Sequence, residues 1–138
     1  MSARRFIDTN ILLYSISRAP DESSKRTRAI DLLEGDDCGL SVQVLQEFYV
    51  QATRATRADA LPHEVAAGLI SAWRRFPVQD NNLAVLEGAL EIKAAHGFSF
   101  WDSAIVAAAR ALGCRELLSE DMSHGREIEG IVILNPFR

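Results

Sequence analysis

Apolar and polar residues follow two different periods along the chain. Short continuous apolar runs predict strands, and longer stretches in which apolar residues recur every three or four positions predict helices. The predicted strands cover residues 5–7, 38–41, 76–78, 116–118 and 131–134. Because Pro77 cannot donate to a strand ladder, the third run is expected at an edge of the sheet at best. The last two runs are apolar almost throughout, which is typical of strands buried on both faces of a parallel sheet.

Helices are predicted between these strands. They cover residues 10–17, 25–33, 42–55, 62–74, 82–96 and 99–112. Pro62 stands in the first turn of its helix, where proline is tolerated, and Gly97 and Gly113 stop the last two helices. Because strands alternate with helices, the sequence predicts an α/β protein. We expect a three-layer α/β/α sandwich around a central, mostly parallel sheet of four or five strands.

The composition suits a single compact domain over residues 1–138. Apolar residues make up 48% of the chain and charged residues 25%, so a core can be buried. No apolar run approaches the roughly 18 residues needed to span a bilayer, and residues 1–10 lack the apolar stretch of a signal peptide. We therefore expect a cytoplasmic protein with no membrane partner, in which Cys38 and Cys114 are reduced core residues.

The net charge limits the possible partners. It is −4, from 15 basic and 19 acidic residues, which argues against a protein that coats nucleic acid. A nuclease is not excluded, because four acids devoted to one metal site would leave equal numbers of basic and acidic residues. Bound divalent cations would then reverse the local field.

Two acidic residues follow predicted strands. Asp8 comes directly after the first strand, and Asp121 lies shortly after residues 116–118. In parallel sheets, ligands bind beyond the carboxyl ends of the strands. Asp8 could instead cap the following helix, although Thr9 could cap it equally well. Asp121 could be a turn residue, and Glu120 beside it makes the assignment ambiguous, since strand geometry points the two side chains apart.

Two further acids lie on predicted helices. Glu47 has mostly apolar neighbours, and a buried lone carboxylate is costly unless it is paired or bound to a metal. Glu47 could instead be exposed on a polar strip of its helix formed by Gln43, Gln46 and Gln51. Asp102 fits a capping box with Ser99. It also shares a helix face with apolar Ile105.

The four acids are more informative together than singly. Carboxylates that converge on one pocket cannot all remain ionised without a counter-charge. Carboxylate oxygens suit Mg²⁺ or Mn²⁺. His63, His96 and His124 are scattered and offer no competing metal site.

Five short motifs follow one another along the chain: IDTN at 7–10, QEF at 46–48, FWDSA at 100–104, LSED at 118–121 and ILNPF at 133–137. Taken in this order, they resemble the motifs of the PIN domain family, and in particular those of VapC-type toxins of bacterial toxin–antitoxin pairs. The resemblance covers essentially the whole chain.

The resemblance implies a toxin that is an Mg²⁺-dependent endoribonuclease, with Mn²⁺ as a substitute, which hydrolyses RNA with a metal-activated water. The implied catalytic and metal-binding residues are Asp8, Glu47, Asp102 and Asp121. Asp8 and Asp121 are expected to be the main ligands, and the supporting residues would be Thr9, Asn10, Ser119 and Glu120. The family further implies a homodimer and a small antitoxin that offers a basic side chain to the acidic pocket.

RNA needs a basic approach to an acidic pocket. The candidate residues are Arg18, Lys25, Arg26, Arg28, Arg54 and Arg57. The alternative for the basic runs at 25–28 and 54–57 is a solvated helix face. Arg18 lies in a polar break that could line the entrance to the pocket. Apolar helical residues could serve a protein interface, with core packing as the alternative for most of them: Leu13, Tyr14, Trp73 and Phe76.

Other functions remain open at this point. A haloacid-dehalogenase-type phosphatase also places an Asp after its first strand, but it needs a second Asp where this chain has Asn10, and a later Lys. A receiver module needs a Lys near its last strand, and no Lys follows Lys93. A catalytically inactive PIN-like module that binds RNA or protein is the third alternative.

Overall fold

The computed structural model describes residues 3–138, so Met1 and Ser2 of the N-terminal segment considered above lie outside the described residues. The helices are α1 (Thr9–Ser15), α2 (Ser23–Leu33), α3 (Val42–Ala52), α4 (His63–Trp73), α5 (Leu83–His96) and α6 (Phe100–Ala111), with a short 3-10 turn at Pro20–Glu22. The strands are β1 (Arg5–Ile7), β2 (Cys38–Ser41), β3 (Val78–Gln79), β4 (Glu116–Leu118), β5 (Glu127–Ile128) and β6 (Ile131–Leu134).

The strands form one sheet in the order β3-β2-β1-β4-β6-β5. All neighbouring pairs are parallel except β5 and β6. The α/β fold class is therefore confirmed, and β3, which follows Pro77, lies at an edge as that proline indicates.

The sheet has six strands rather than four or five because of a short hairpin. Ile128 pairs with Ile131 across a two-residue turn, Glu129-Gly130. Both turn residues have positive φ, 52° and 82°, as a type I′ turn requires. Glu is an unusual first residue for this turn, so the sequence offered no clear sign of β5.

The core lies on both faces of the sheet. Phe6 and Leu117, adjacent in the register of β1 and β4, are fully buried. Helices α5 and α6 pack closely at Gly88, where an added Cβ would lie 3.0 Å from Arg110 Nη2 and 3.4 Å from the Cβ of Ala107. Among the apolar residues considered for an interface, Trp73 is buried, so core packing is the correct interpretation for it. Phe76 is buried as well, whereas Leu13 and Tyr14 are half-buried.

The cysteines agree with the prediction: Cys38 and Cys114 are free and buried. Burial raises the pKa of both thiols to about 11, as expected of unreactive core cysteines. Among residues 3–138, no helix is both long and apolar enough to cross a bilayer.

The topology determines where a site can form. β1 and β4 are parallel neighbours and end in register, Ile7 opposite Leu118. The chain segments that follow them, beginning at Asp8 and Ser119, therefore emerge side by side. This is the edge at which parallel sheets bind ligands.

Candidate active site

The four predicted carboxylates line one cavity of about 170 Å³. They are Asp8, Glu47, Asp102 and Asp121. No Lys, Arg or His is among the described residues that line this carboxylate cavity. Within residues 3–138, no three His, Cys, Asp or Glu side chains are already placed to hold one metal ion together. The acids therefore share a space without forming a closed cage.

Asp8 is almost fully enclosed at the end of β1. Its Oδ1 accepts a hydrogen bond from the backbone N–H of Thr9 at 2.7 Å, and its Oδ2 accepts one from the Ser119 hydroxyl at 2.7 Å. Asp8 is the N-cap of α1, so the idea that Thr9 could replace it as the cap is wrong. Asp8 lines the carboxylate cavity as well as capping α1. Both functions are compatible, because each carboxylate oxygen has lone pairs for more than one hydrogen bond or ligand contact.

The electrostatic surroundings disfavour a charge on Asp8. Burial raises the pKa of Asp8 to about 6, against the lowering effect of hydrogen bonds from Ser119 and Thr9. The negative charges of Glu47 and Asp102 raise it further. Near neutral pH the ionised cavity therefore lacks a counter-charge.

Glu47 is held at both oxygens. The Thr9 hydroxyl donates to Oε2 at 3.0 Å, and Gln43 Nε2 donates to Oε1 at 2.8 Å. Gln43 is only 7% exposed and Glu47 is half-buried. The alternative that Glu47 lies on an exposed polar strip together with Gln43 is therefore wrong. Gln43 was not among the candidate site residues predicted from the sequence. The available sign was its position one helical turn before Glu47.

Asp102 begins α6 on the opposite wall. Its backbone N–H donates to the Ser99 hydroxyl at 3.1 Å, so the capping interaction is present. The pKa of Asp102 is raised, mainly by burial and further by the charges of Asp121 and Glu47, while the hydrogen bond with Ser99 opposes this shift. The cap uses the backbone of Asp102, while its half-buried side chain lines the cavity.

Asp121 and Glu120 lie in different surroundings. Asn10 Nδ2 donates to Asp121 Oδ2 at 2.9 Å, and Asp121 lines the carboxylate cavity. Glu120 accepts hydrogen bonds from the Tyr14 hydroxyl and from Lys25 Nζ, the latter at 2.5 Å. Although burial raises the pKa of Glu120, these two donors outweigh it and lower that pKa. The geometry therefore places Asp121, and not Glu120, with the other acids.

Asn10 leaves one polar atom without a partner. Its Oδ1 is buried and accepts no hydrogen bond from the described residues, although Asn10 lines the carboxylate cavity. A buried acceptor of this kind is costly unless a cation or water satisfies it.

The basic candidates are placed unequally. Arg57 lines a neighbouring cavity of about 280 Å³ that shares Asn10 and Asp121 with the carboxylate cavity, and it contacts Asp59 at 2.8 Å. Lys25 is paired with Glu120. The side chain of Arg28 lies 3.4 Å from Asp31. The remaining candidates are exposed on the surface: Arg18, Arg26 and Arg54.

The fold is similar to known structures. One is a toxin–antitoxin complex from Klebsiella pneumoniae, with a TM-score of 0.68, 21% identity and 98% of each chain covered. Another is VapC20 of Mycobacterium tuberculosis, described as a sarcin–ricin loop cleaving toxin, with a TM-score of 0.65, 21% identity, and 82% of this chain and 86% of that chain covered. A third is DNA-bound VapBC from Salmonella typhimurium, with a TM-score of 0.66, 18% identity, and 95% and 96% coverage.

At these identities the structural similarities establish the fold alone. A comparison with curated protein sequences finds no significant match. The family model of the PIN domain, however, matches residues 5–126, which contain strands β1 to β4, all six helices and every residue that lines the carboxylate cavity. The chain therefore belongs to the PIN domain family.

Proposed function

We propose that this protein is a divalent-metal-dependent endoribonuclease and the toxin of a toxin–antitoxin pair. The observation that carries the proposal is the cavity in which Asp8, Glu47, Asp102 and Asp121 meet with no basic side chain among the described residues of its lining. Membership of the PIN domain family supports a nuclease. The fold's similarity to VapC20, described as an RNA-cleaving toxin, supports RNA as the substrate.

The donor set suits Mg²⁺ or Mn²⁺. All four acids offer oxygen, the ligand that these cations prefer, and the orphaned Asn10 Oδ1 offers another. Mg²⁺ usually keeps several waters and takes only one or two protein carboxylates, which agrees with a cavity that has no ready three-ligand cage. We assign Asp8 and Asp121 as the main ligands, with Glu47 and Asp102 completing the site.

The protein's own groups prepare the site for hydrolysis. Thr9 and Gln43 fix the two oxygens of Glu47, and Ser119 fixes Asp8. A cation held by these acids would supply positive charge to a phosphate and make water easier to deprotonate. As water attacks phosphorus, the Asp102 carboxylate accepts the proton that water loses. The P–O bond to the leaving oxygen of the phosphodiester breaks, and that oxygen takes up a proton from solvent. The raised pKa of Asp102 suits a general base.

The phosphatase and the non-catalytic receiver module fit less well. A haloacid-dehalogenase-type phosphatase needs an acid at position 10, where Asn10 donates to Asp121. It also needs a lysine in the site, as does a receiver module. Lys25 is paired with Glu120 outside the carboxylate cavity, and no Lys occurs among the described residues that line the cavity.

The proposed partners are a small antitoxin and a second copy of the chain. Similarity of fold to proteins described as toxin–antitoxin complexes supports the antitoxin. An antitoxin that offers one basic side chain to the carboxylate cavity would supply the counter-charge that its lining lacks. Such a pair would act in the cytoplasm, where cellular RNA is available.

The test is incubation of the purified protein with total RNA in Mg²⁺, with and without EDTA, followed by mapping of new RNA ends. We expect specific new ends that disappear with EDTA and with a folded Asp8→Asn protein. Cleavage that persists in EDTA, or in Asp8→Asn, would remove the metal-dependent mechanism. Tight binding of RNA with no cleavage by the wild type would instead identify an inactive PIN-like binding module.

A further inference from the structure

Trp101 is unusually exposed for a large apolar side chain. It precedes Asp102, and 61% of its surface is accessible, whereas Trp73 is 5% exposed. Exposed Leu83 and Leu86 line a cavity together with Trp101, so the indole belongs to a contiguous apolar patch, and such patches commonly mark a place where another molecule binds. The position of Trp101 shows which kind of molecule it suits.

Trp101 forms a wall between two cavities. On one side it lines the carboxylate cavity. On the other it lines a larger cavity of about 410 Å³, which we call the apolar groove, with walls formed mainly by Leu83, Leu86 and Phe100. The apolar groove has no charged residue among its described lining, but Asn81 and Asn82 also line it.

Trp101 has one contact through its backbone and one through its ring beside the acids. The Trp101 carbonyl lies 3.4 Å from Gln43 Nε2, which also holds Glu47. The rings of Phe100 and Trp101 meet edge to face, with their centroids 5.0 Å apart and their planes at 79°. An aromatic ring that is oriented in advance loses little conformational entropy when a ligand stacks on it.

We propose that Trp101 is the stacking platform for a base of single-stranded RNA next to the scissile phosphate. The inference rests on the proposed function. When an RNA phosphate lies in the carboxylate cavity, the bases of the two nucleotides that it joins lie within reach of the adjoining walls. A base has apolar faces and a polar edge, which match an indole beside a groove that carries amide side chains. Trp101 is thus a positioning residue for the substrate.

The apolar groove favours RNA over a second copy of the chain as its occupant. It is continuous with the carboxylate cavity through Trp101, so a protein seated on this indole would also cover a wall of that cavity. A base extending from a bound phosphate reaches the indole without blocking the site.

Fluorescence tests the stacking directly, because the sequence has only two tryptophans. The buried Trp73 is changed to Phe, and Asp8→Asn is added to prevent cleavage, so that all emission comes from Trp101. A single-stranded RNA with a terminal dye is titrated in, and its anisotropy reports binding independently. We expect Trp101 emission to be quenched with the same midpoint as the anisotropy change. An Asp8→Asn protein with Trp101→Phe, which retains only Trp73, is the control and should show little change.

Cleavage kinetics provide the second test. Trp101→Ala should lower kcat/KM on the mapped substrate by about fivefold or more, mainly through KM, because a stacked base is lost. Trp101→Phe, which keeps a ring, should recover most of the activity. Val65→Ala, at an exposed apolar position on α4 outside both cavities, should leave kcat/KM unchanged.

The outcomes separate this inference from the proposed function. If RNA is cleaved and bound but Trp101 emission does not change, the stacking inference is overturned and the nuclease proposal stands. If wild-type protein neither binds nor cleaves RNA, both are overturned. If Trp101→Ala converts a dimer into a folded monomer in light scattering, a second copy covers the indole, and the stacking inference is again overturned.

Discussion

Glu120 and Asp121 are consecutive in the chain but belong to opposite electrostatic environments. Glu120 turns toward Lys25 and Tyr14, where an ammonium group neutralises it. Asp121 turns into the carboxylate cavity, where its partner is the uncharged amide of Asn10. Glu120 thus has a basic partner, whereas no basic side chain is among the described residues that line the carboxylate cavity. Charge compensation, rather than the mere presence of acids, therefore distinguishes a structural carboxylate from a candidate catalytic one.

Ser119 is the residue from which this divergence starts. Its hydroxyl donates to Asp8 and accepts from the backbone N–H of Asp121 at 3.3 Å. The fully buried Ser119 thereby fixes the turn that follows β4. With the turn fixed, the next two side chains leave in different directions.

The largest expected difference between the two environments is in catalysis. Asp102→Asn should lower RNA cleavage by about 10²–10⁴-fold, because a group proposed to accept the proton is lost. Glu120→Gln removes one negative charge nearby and should change cleavage by less than about threefold, although it weakens the Lys25 pair. Single-turnover cleavage of the mapped RNA measures both. Equal losses in the two variants would erase the distinction between the environments.

The second prediction concerns stability and pH in metal-free protein. The pKa of Asp8 is about 6 in the folded chain, above its ordinary value of 3.8, so the folded state binds the proton more tightly. Unfolding free energy should therefore fall as pH rises from about 4 to about 6, by roughly 3 kcal/mol from this residue. Asp8→Asn should lack that component. Urea unfolding across this pH range, with wild type and variant compared, provides the measurement. Parallel pH profiles would contradict the raised pKa.

The third prediction sharpens the role of the neutral donors in the carboxylate cavity. Gln43→Ala should reduce kcat by about 10–100-fold, since Glu47 loses the donor that orients Oε1. Gln46→Ala, at an exposed position on the same helix, is the matched control and should have little effect. Kinetics over a range of RNA concentrations separate kcat from KM. A change in KM alone would mean that Gln43 binds substrate rather than orienting Glu47.

The smallest expected effect is on RNA binding by the surrounding basic residues. Arg57→Gln should weaken binding and reduce the slope of log K against log salt by about 0.7, the value for one phosphate contact with a single strand. Arg54 was predicted alongside Arg57, and the double replacement should flatten the slope further. Arg28→Gln is the comparison variant and should leave the slope unchanged, because Arg28 lines neither the carboxylate cavity nor the neighbouring cavity that Arg57 lines. An unchanged slope in the double variant would exclude both residues from the RNA path.

Much of the fold could be predicted from local sequence. Apolar runs identified five of the strands, and α5 ends where Gly97 adopts a φ of 76° that suits glycine. The hairpin at Glu129-Gly130 was not predicted, because it lacks the usual Asn-Gly or Asp-Gly pair.

The site was predictable only in part. The positions of Asp8 and Asp121 after parallel strands correctly indicated that they would lie close together. The choice between Glu120 and Asp121 could not be made locally, because the lysine that neutralises Glu120 lies 95 residues away. Gln43 escaped notice for a similar reason. A helical glutamine is usually exposed, and its burial depends on α6 packing over it.

The measurement that tests the central claim most directly is anomalous diffraction from crystals grown with Mn²⁺. We predict one or more Mn²⁺ peaks in the carboxylate cavity, ligated by at least two of Asp8, Glu47, Asp102 and Asp121, with none at Glu120. An empty cavity at millimolar Mn²⁺, or a peak at Glu120 instead, would contradict the account.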